Sequence, residues 1–143
     1  MSKAKTNDKL TSKINELAFE LKGLSLSAHL AHFNVTGEGF GTLHKLYGDI
    51  YESMDGWFDD LGERVRSLGC MVKILPFEIA DPTDAECDYV EYVSGAIDHT
   101  ICCVDECTAE VESDLVTQNM LLELKQELQK FCWMVKASAD TDD

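Results

Sequence analysis

The sequence has few basic residues, few prolines and no long apolar run. No stretch approaches about 18 consecutive apolar residues, which argues against a transmembrane helix. Lysine and arginine number 12 against 27 aspartates and glutamates, and the net charge of −15 argues against a general nucleic-acid-binding surface. The two prolines, Pro76 and Pro82, lie close together, so long segments elsewhere contain no helix-breaking proline.

The polar start MSKAKTNDKL lacks the apolar core of a secretory signal, so we expect a cytoplasmic protein. The six cysteines include no C-x-x-C spacing, and in that compartment most should be reduced core residues. Cys103 and Cys107 lie one helical turn apart, with His99 one turn earlier. This arrangement would also suit a soft-metal site, so packing and metal binding both stay open.

Apolar residues recur at steps of three and four in four segments, which is the spacing of amphipathic helices. These segments cover residues 10–31, 43–68, 89–111 and 121–135. No stretch shows the strict alternation of a half-buried strand. We therefore predict an all-α protein with one domain over residues 1–143, a short polar N-terminal tail and an acidic C-terminal tail.

Turn and capping residues indicate how the helices connect. The glycine-rich VTGEGF at residues 35–40 makes the first connection short, and Gly69 marks the end of helix two. Thr83 with Glu86 fits a capping box that would open helix three, and Thr117 would cap helix four. Short, long and short connections predict a ferritin-like four-helix bundle with one long crossover between helices two and three.

Histidines and carboxylates are the candidates for metal chemistry. The sequence has no Glu-x-x-His motif, so a di-iron site inside the bundle would lack its usual ligands. His32 and His44 instead flank the first connection. Helix two carries Asp55, Asp59 and Glu63 at four-residue spacing, which places them on one face. Imidazoles and carboxylates together suit iron, manganese or zinc.

Helix geometry keeps one chain from combining these groups on one ion. At about 1.5 Å per residue, His44 and Asp59 lie roughly 22 Å apart along helix two. Two antiparallel copies of the helix, paired about a two-fold axis, would bring them together. A solvated acidic face beside loop histidines explains the spacing at least as simply, so this interpretation also stays open.

Motifs across residues 8–137 resemble the signature of the Dps family of mini-ferritins, the DNA-binding proteins from starved cells. The stretch HFNVTG at residues 32–37 is similar to the family's His-Trp-Asn-Val-x-Gly. The dipeptide LH at 43–44, Asp59 and Glu63 follow at the family's spacing. KFCWM at 130–134 is similar to the family's closing Glu-Lys-His-x-Trp-Met.

This resemblance implies a hollow shell of twelve subunits that oxidises Fe(II) with hydrogen peroxide or dioxygen and stores the ferric mineral. It also implies a ferroxidase site at the two-fold interface. His32 and His44 of one subunit, with Asp59 and Glu63 of its neighbour, would be the catalytic residues and metal ligands. His29 would lie beside the site or at the surface. Zinc or manganese in place of iron is an alternative.

One departure from the family pattern bears on this activity. The family places an aspartate ligand four residues after the second histidine, where this chain has Gly48. Asp49 and Glu52 are candidate replacement ligands, although a helix turns by about 100° per residue and should direct Asp49 elsewhere. The alternative function is a structural or DNA-associated shell with weakened or lost ferroxidase activity.

DNA binding is not expected, despite the family's name. Members that bind DNA often use a lysine-rich tail, whereas Lys3, Lys5 and Lys9 here lie among polar and acidic residues. Phosphate contacts would oppose the repulsion from a net charge of −15 per chain. We therefore predict a homo-oligomer with no DNA and no membrane partner.

Overall fold

The computed structural model describes residues 2–84 and 86–139, and every regular element within those ranges is an α-helix. The helices are α1 (Ser2–Asn34), α2 (Phe40–Ser67), α3 (Tyr89–Glu110) and α4 (Leu115–Ala139). Short connections join α1 to α2 and α3 to α4, while residues 68–88 cross from α2 to α3. The predicted all-α bundle with one long crossover is confirmed. None of the described helices is both long and apolar enough to cross a membrane.

Contacts near the helix ends give the direction of each helix. The Tyr92 hydroxyl at the start of α3 lies 3.3 Å from the Ser27 hydroxyl near the end of α1, within hydrogen-bond distance. Lys9 near the start of α1 pairs with Glu110 at the end of α3, at 3.4 Å. Thus α3 runs antiparallel to α1 and parallel to α2. Since α1 and α4 contact both α2 and α3, the four helices close into a ring around one core.

The core consists of the apolar stripes that the sequence predicts. Every position of the first stripe, from Leu10 to Ala31, is buried. The stripes on α2, α3 and α4 are buried in the same way, except for five half-buried positions at the margin: Trp57, Leu68, Tyr89, Ala96 and Phe131. Burial of these stripes supplies the main driving force for the bundle.

The six cysteines are free thiols, as predicted, but only two are buried. Cys107 and Cys132 lie in the core, whereas Cys102 is exposed and the other three are half-buried. Cys70 and Cys103 pack against the core from its margin, so the predicted packing role holds for four of the six thiols, although only two are fully buried. The partly accessible thiols leave room for roles other than packing.

The crossover is tied to α1 and α3 although it contains no helix over the residues described. The Asn15 amide donates to the Lys73 carbonyl and accepts from the Lys73 amide, both at 2.9 Å. Tyr92 donates to the Ala80 carbonyl at 2.6 Å. Phe77 packs over Gly23, where an added Cβ would lie 3.5 Å from its ring. These contacts hold the crossover against the bundle.

The capping box predicted to open α3 is wrong, whereas the apolar segment predicted from residue 89 does begin the helix. The helix begins at Tyr89, and Asp88 is its N-cap, accepting from the amides of Val90 and Glu91 at 3.0 and 3.2 Å. Glu86, which should close a capping box, instead donates its amide to Asp84 at 2.9 Å in a local turn. A carboxylate nearer the apolar stripe therefore provides the cap.

The predicted cap of α4 is also wrong. Asp114, which immediately precedes the helix, accepts from the Thr117 amide at 3.3 Å and the Thr117 hydroxyl at 2.7 Å. Arg64 of α2 reaches the same carboxylate at 3.0 Å and donates to the Thr117 hydroxyl. Burial opposes ionisation of Asp114, but the hydrogen bonds from Thr117 and Arg64 outweigh it and lower the pKa of Asp114. The carboxylate therefore ties the start of α4 to the end of α2.

The bundle is longer at both termini than the apolar pattern predicts. Helix α1 begins at Ser2, because residues 2–22 contain neither glycine nor proline to end it. Helix α4 extends to Ala139, into the stretch predicted as an acidic tail. The rest of that tail, residues 140–143, lies outside the described residues, as do the side chains of Lys3 and Lys5.

Candidate metal centre

A tight glycine turn brings the end of α1 beside the start of α2. Gly37 and Gly39 have φ values of +87° and +80°, which side-chain-bearing residues rarely adopt. The Phe40 amide donates to the Gly37 carbonyl at 3.1 Å, and the Leu43 amide donates to Gly39 at 2.8 Å, which starts α2. The turn therefore places the last residues of α1 against the first turns of α2.

His32 and His44 are held together by reciprocal hydrogen bonds across this turn. The His32 Nδ1 lies 2.7 Å from the His44 carbonyl oxygen, and the His44 Nδ1 lies 2.7 Å from the His32 carbonyl oxygen. The two rings stack with centroids 3.8 Å apart. A carbonyl oxygen only accepts, so each Nδ1 is the ring nitrogen that donates, and in the uncharged tautomer the lone pair that can bind a metal is on Nε2. The pair thus holds its two Nε2 atoms in a fixed orientation.

Gly48 lies directly against one of these rings. A Cβ at this position would be 3.3 Å from both Cε1 and Nδ1 of His32, closer than most Cβ contacts. Glycine therefore lets the His32 ring approach the backbone of α2 while making its bond to His44. It also leaves this side of the pair without a carboxylate. The sequence identified the missing ligand, but only the structure shows the close contact.

Aromatic rings surround the histidine pair. His29 stacks on Tyr51 with centroids 3.8 Å apart, and the Tyr51 ring lies 5.4 Å from that of His32. Phe33 stacks on His29, and Phe40 stacks on His44. The side chains of Phe33 and Phe40 are 65% and 44% exposed, so the pair lies beside an uncovered apolar surface. Such a surface is typical of protein contacts.

The carboxylates form a second group, farther along α2. Donor oxygens of Asp59, Asp60 and Glu63 lie within 4.8 Å of one another, and all three residues are exposed. Within the described part of the chain, none of these side chains makes an ion pair or a side-chain hydrogen bond. The sequence analysis missed Asp60, although its three-residue spacing from Glu63 indicates a shared helix face.

Three other acidic residues of α2 are not brought to either group. Asp55 accepts from the Ser25 hydroxyl at 2.7 Å and pairs with Lys22 at 3.3 Å. Asp55 therefore does not join the group around Glu63, although the sequence predicts it on the same face of the helix. Asp49 pairs with Lys45 at 3.1 Å on the surface, as its helical position predicts. Glu52 is exposed and joins no three-donor group in the described part of the chain.

The two donor groups lie on one continuous helix. His44 is in the second turn of α2 and Glu63 is in its last turns, so the helix itself keeps them apart. The donor chemistry fits a first-row divalent metal, because neutral imidazoles and ionised carboxylates together suit iron, manganese or zinc. Each group alone supplies only part of a coordination sphere.

Comparison with known proteins identifies the class of protein to which this chain belongs. Residues 11–142 match the family model for a ferritin-like domain, which spans nearly the whole bundle. The chain is therefore a ferritin-like protein.

It is also 30% identical over 125 residues to the DNA protection during starvation protein of Brevibacillus brevis, covering 80% of this chain and 83% of that relative. The chain belongs to the Dps family of ferritin-like proteins.

Solved structures agree on the fold. Dps from Mycobacterium smegmatis superposes with a TM-score of 0.82 at 24% identity, covering 93% of this chain and 87% of that one. A Dps protein from Vibrio cholerae O1 gives 0.81 at 19% identity, covering 93% and 90%. The latter is described as a member of a broad superfamily of ferritin-like diiron-carboxylate proteins.

Proposed function

We propose that this protein sequesters iron by oxidising Fe(II) at a site completed between two subunits and storing the ferric product inside a hollow shell. In this proposal His32 and His44 come from one subunit, and Asp59 and Glu63 come from its neighbour. Iron is the substrate and the cargo. Hydrogen peroxide is the preferred oxidant and dioxygen the alternative.

One observation carries the proposal: the histidine pair presents two free Nε2 atoms, while the unpartnered carboxylates lie far along the same helix. A second copy of α2, running antiparallel, would place its carboxylates opposite the histidines. The exposed rings of Phe33 and Phe40 beside the pair give such a copy an apolar surface to cover. The family membership supports iron as the metal.

The residues have distinct tasks in this reaction. The imidazoles bind Fe(II) without adding charge, and their Nδ1 bonds to carbonyls keep both rings oriented during turnover. The carboxylates offset the positive charge and favour the more highly charged ferric product. Each peroxide accepts two electrons, one from each of two Fe(II) ions, and with two protons becomes water. Tyr51 lies close enough to His32 to reduce an escaping radical.

Assembly is part of the proposal. A two-fold site requires a dimer, and a storage cavity requires a closed shell, for which twelve subunits are expected from the family. Light scattering should give a mass near twelve times 16.0 kDa. A persistent monomer would contradict both the shared site and the storage role.

The second candidate function is a Dps-like structural or DNA-associated shell with weakened or lost ferroxidase activity. Gly48 is the observation that favours it, because a second iron would lack the bridging carboxylate of the family pattern. A store of zinc or manganese that does not turn over would use the same ligands. Neither candidate requires a change in the fold.

Iron oxidation by the purified shell distinguishes these functions. Fe(II) is added anaerobically, its binding is counted per subunit, and peroxide or air is then admitted while the ferric product is recorded. The main proposal predicts oxidation faster than in buffer, with the iron retained by the protein. Binding without accelerated oxidation would instead support the weakened shell.

DNA association is a further point on which the two functions differ. We propose that this chain does not bind duplex DNA, although the relative from Brevibacillus brevis is named for DNA protection. A net charge of −15 per chain repels phosphates. A gel-shift assay at physiological salt without divalent cations should show no complex, and a shift there would contradict the proposal.

A further inference from the structure

Another group of metal-binding side chains, which combines a carboxylate, an imidazole and a thiol, lies between α1 and α3, away from the histidine pair. Glu20 of α1 faces His99 and Cys103 of α3, and one donor atom from each lies within 4.8 Å of the others. His99 and Cys103 are one helical turn apart on α3. The sequence grouped these two with Cys107, but Cys107 is buried, and the structure places Glu20 in the group instead.

The distances within this group match those between ligands on a tetrahedral zinc ion. The His99 Nε2 lies 3.4 Å from a Glu20 carboxylate oxygen and 3.7 Å from the Cys103 Sγ. Zinc bonds of about 2.3 Å to sulfur and about 2.0–2.1 Å to nitrogen or oxygen give ligand separations of about 3.6 and 3.4 Å. The third separation, between a Glu20 carboxylate oxygen and the Cys103 Sγ, is within 4.8 Å, so side-chain adjustment would bring all three atoms onto one ion.

The surroundings of Cys103 also suit a cation. A cavity of about 110 Å³ opens beside it, lined by the three carboxylates of Glu16, Glu20 and Glu106 and by one cation, Lys13, which pairs with Glu16 at 3.5 Å. Burial raises the pKa of the Cys103 thiol to about 11, and the negative charges of Glu20 and Glu106 add to this effect. Without a cation the thiol therefore stays protonated, and metal binding would release that proton. The cavity leaves room for water as a fourth ligand.

We propose that Glu20, His99 and Cys103 form a second metal site for a borderline-soft divalent cation, best matched by Zn²⁺, which joins α1 to α3. A thiolate and a carboxylate balance the two charges of the ion, and the imidazole is neutral. Thiolate ligation favours zinc here over the hard cations that prefer oxygen alone. This inference does not depend on the ferroxidase proposal, because the two sites share no residue.

Cobalt(II) provides the test, since a thiolate bound to it gives a charge-transfer band in the near ultraviolet that carboxylates and imidazoles do not give. The assembled protein is reduced, stripped with a chelator and titrated with Co²⁺. We expect one thiolate band per chain, lost when Zn²⁺ is added. Cys103→Ser should abolish the band, whereas Cys102→Ser, which removes the neighbouring exposed thiol, should retain it.

A second variant keeps the test valid if Cys103→Ser folds poorly. His99 is mostly exposed, so His99→Gln should fold and retain the thiol. It should weaken Co²⁺ binding by more than about tenfold, because loss of even an indirect partner of a metal ligand costs 10–100-fold. The proposal is overturned if the wild-type shell gives no thiolate band. It is equally overturned if the band survives Cys103→Ser, or if Cys102→Ser loses it.

Discussion

The two donor groups of α2 differ in how they are held. The histidines are fixed in orientation by bonds from Nδ1 to backbone carbonyls, and they stack on each other and on neighbouring rings. The carboxylates of Asp59, Asp60 and Glu63 are exposed and make no ion pair or side-chain hydrogen bond within the part of the chain that is described. The histidine half is therefore preorganised within one subunit, while in the proposed shared site the acidic half would gain its order from the metal or the neighbouring subunit.

Removing the Glu63 carboxylate should have the largest effect on iron binding and oxidation. Glu63→Ala should nearly abolish Fe(II) binding and oxidation, because Asp59 would be the one carboxylate left in the proposed ligand set and would balance only half the charge of the ion. Glu52→Ala, which removes the same side chain from an exposed position on the same helix, is the matched control and should oxidise iron like the parent. If Glu52→Ala is the damaging change, then Glu52 is the ligand and the assignment of Glu63 is wrong.

The backbone beneath the acidic group is anchored even though its side chains are not. Arg64, next to Glu63, bonds to Asp114, and Asp114→Asn should cost about 1.5–3 kcal/mol as a charged hydrogen bond is lost. The pKa of Asp114 is lowered by folding, so its stabilising contribution is present above the unfolded pKa and is lost as the pH falls through the folded value.

Urea unfolding at one fixed protein concentration checks this prediction. The difference between wild type and Asp114→Asn should be full at neutral pH and should shrink as the pH falls below the unfolded pKa of an aspartate and through the lower pKa of folded Asp114. A difference that does not depend on pH would show that shape, rather than ionisation, makes Asp114 matter.

Substitution of Gly48 should have a smaller effect on iron oxidation. Whether the rate rises or falls tests the role of the histidine pair. Gly48→Asp supplies the family's carboxylate but must move the His32 ring by a few tenths of an ångström. Gly48→Ala imposes the same contact without the carboxylate. We expect Gly48→Asp to increase the rate or stoichiometry of peroxide-driven oxidation and Gly48→Ala to give no gain. If both variants oxidise iron like the parent, the missing ligand does not limit the chemistry.

The smallest effect should come from Asp49. Its carboxylate pairs with Lys45 on the surface, and an exposed pair of this kind contributes about 0.3–0.5 kcal/mol. Asp49→Asn should therefore leave the iron-oxidation rate within about twofold of the parent. A much slower variant would show that Asp49 reaches the metal in the assembled shell.

The apolar stripes predicted the four helices well, because burial on one helix face leaves a period that a single sequence displays. The caps were predicted poorly. Thr83 and Thr117 satisfy the capping pattern, yet Asp88 and Asp114 accept the hydrogen bonds from the backbone amides. Which of two nearby side chains caps a helix depends on their positions in space, which the pattern does not give.

The sequence predicted the ligand types of the candidate metal centre and their spacing, but not the contacts between helices. The spacing of His32, His44, Asp59 and Glu63 was visible in the sequence, and it remains a prediction for the assembled shell. The approach of Gly48 to His32 was not visible, nor was Glu20 facing His99. These contacts depend on how helices distant in sequence pack, which no local pattern records.

The contacts of the crossover have a consequence for changes in chain length. Asn15 fixes Lys73 by two hydrogen bonds, and Tyr92 fixes Ala80. An insertion or deletion between these two anchor points would force one of them to release or Phe77 to leave Gly23. The Pro82 carbonyl also accepts from the Tyr89 hydroxyl, so related chains should keep the number of residues from 73 to 82 constant and vary in length after Pro82, where the described residues make mostly local turns.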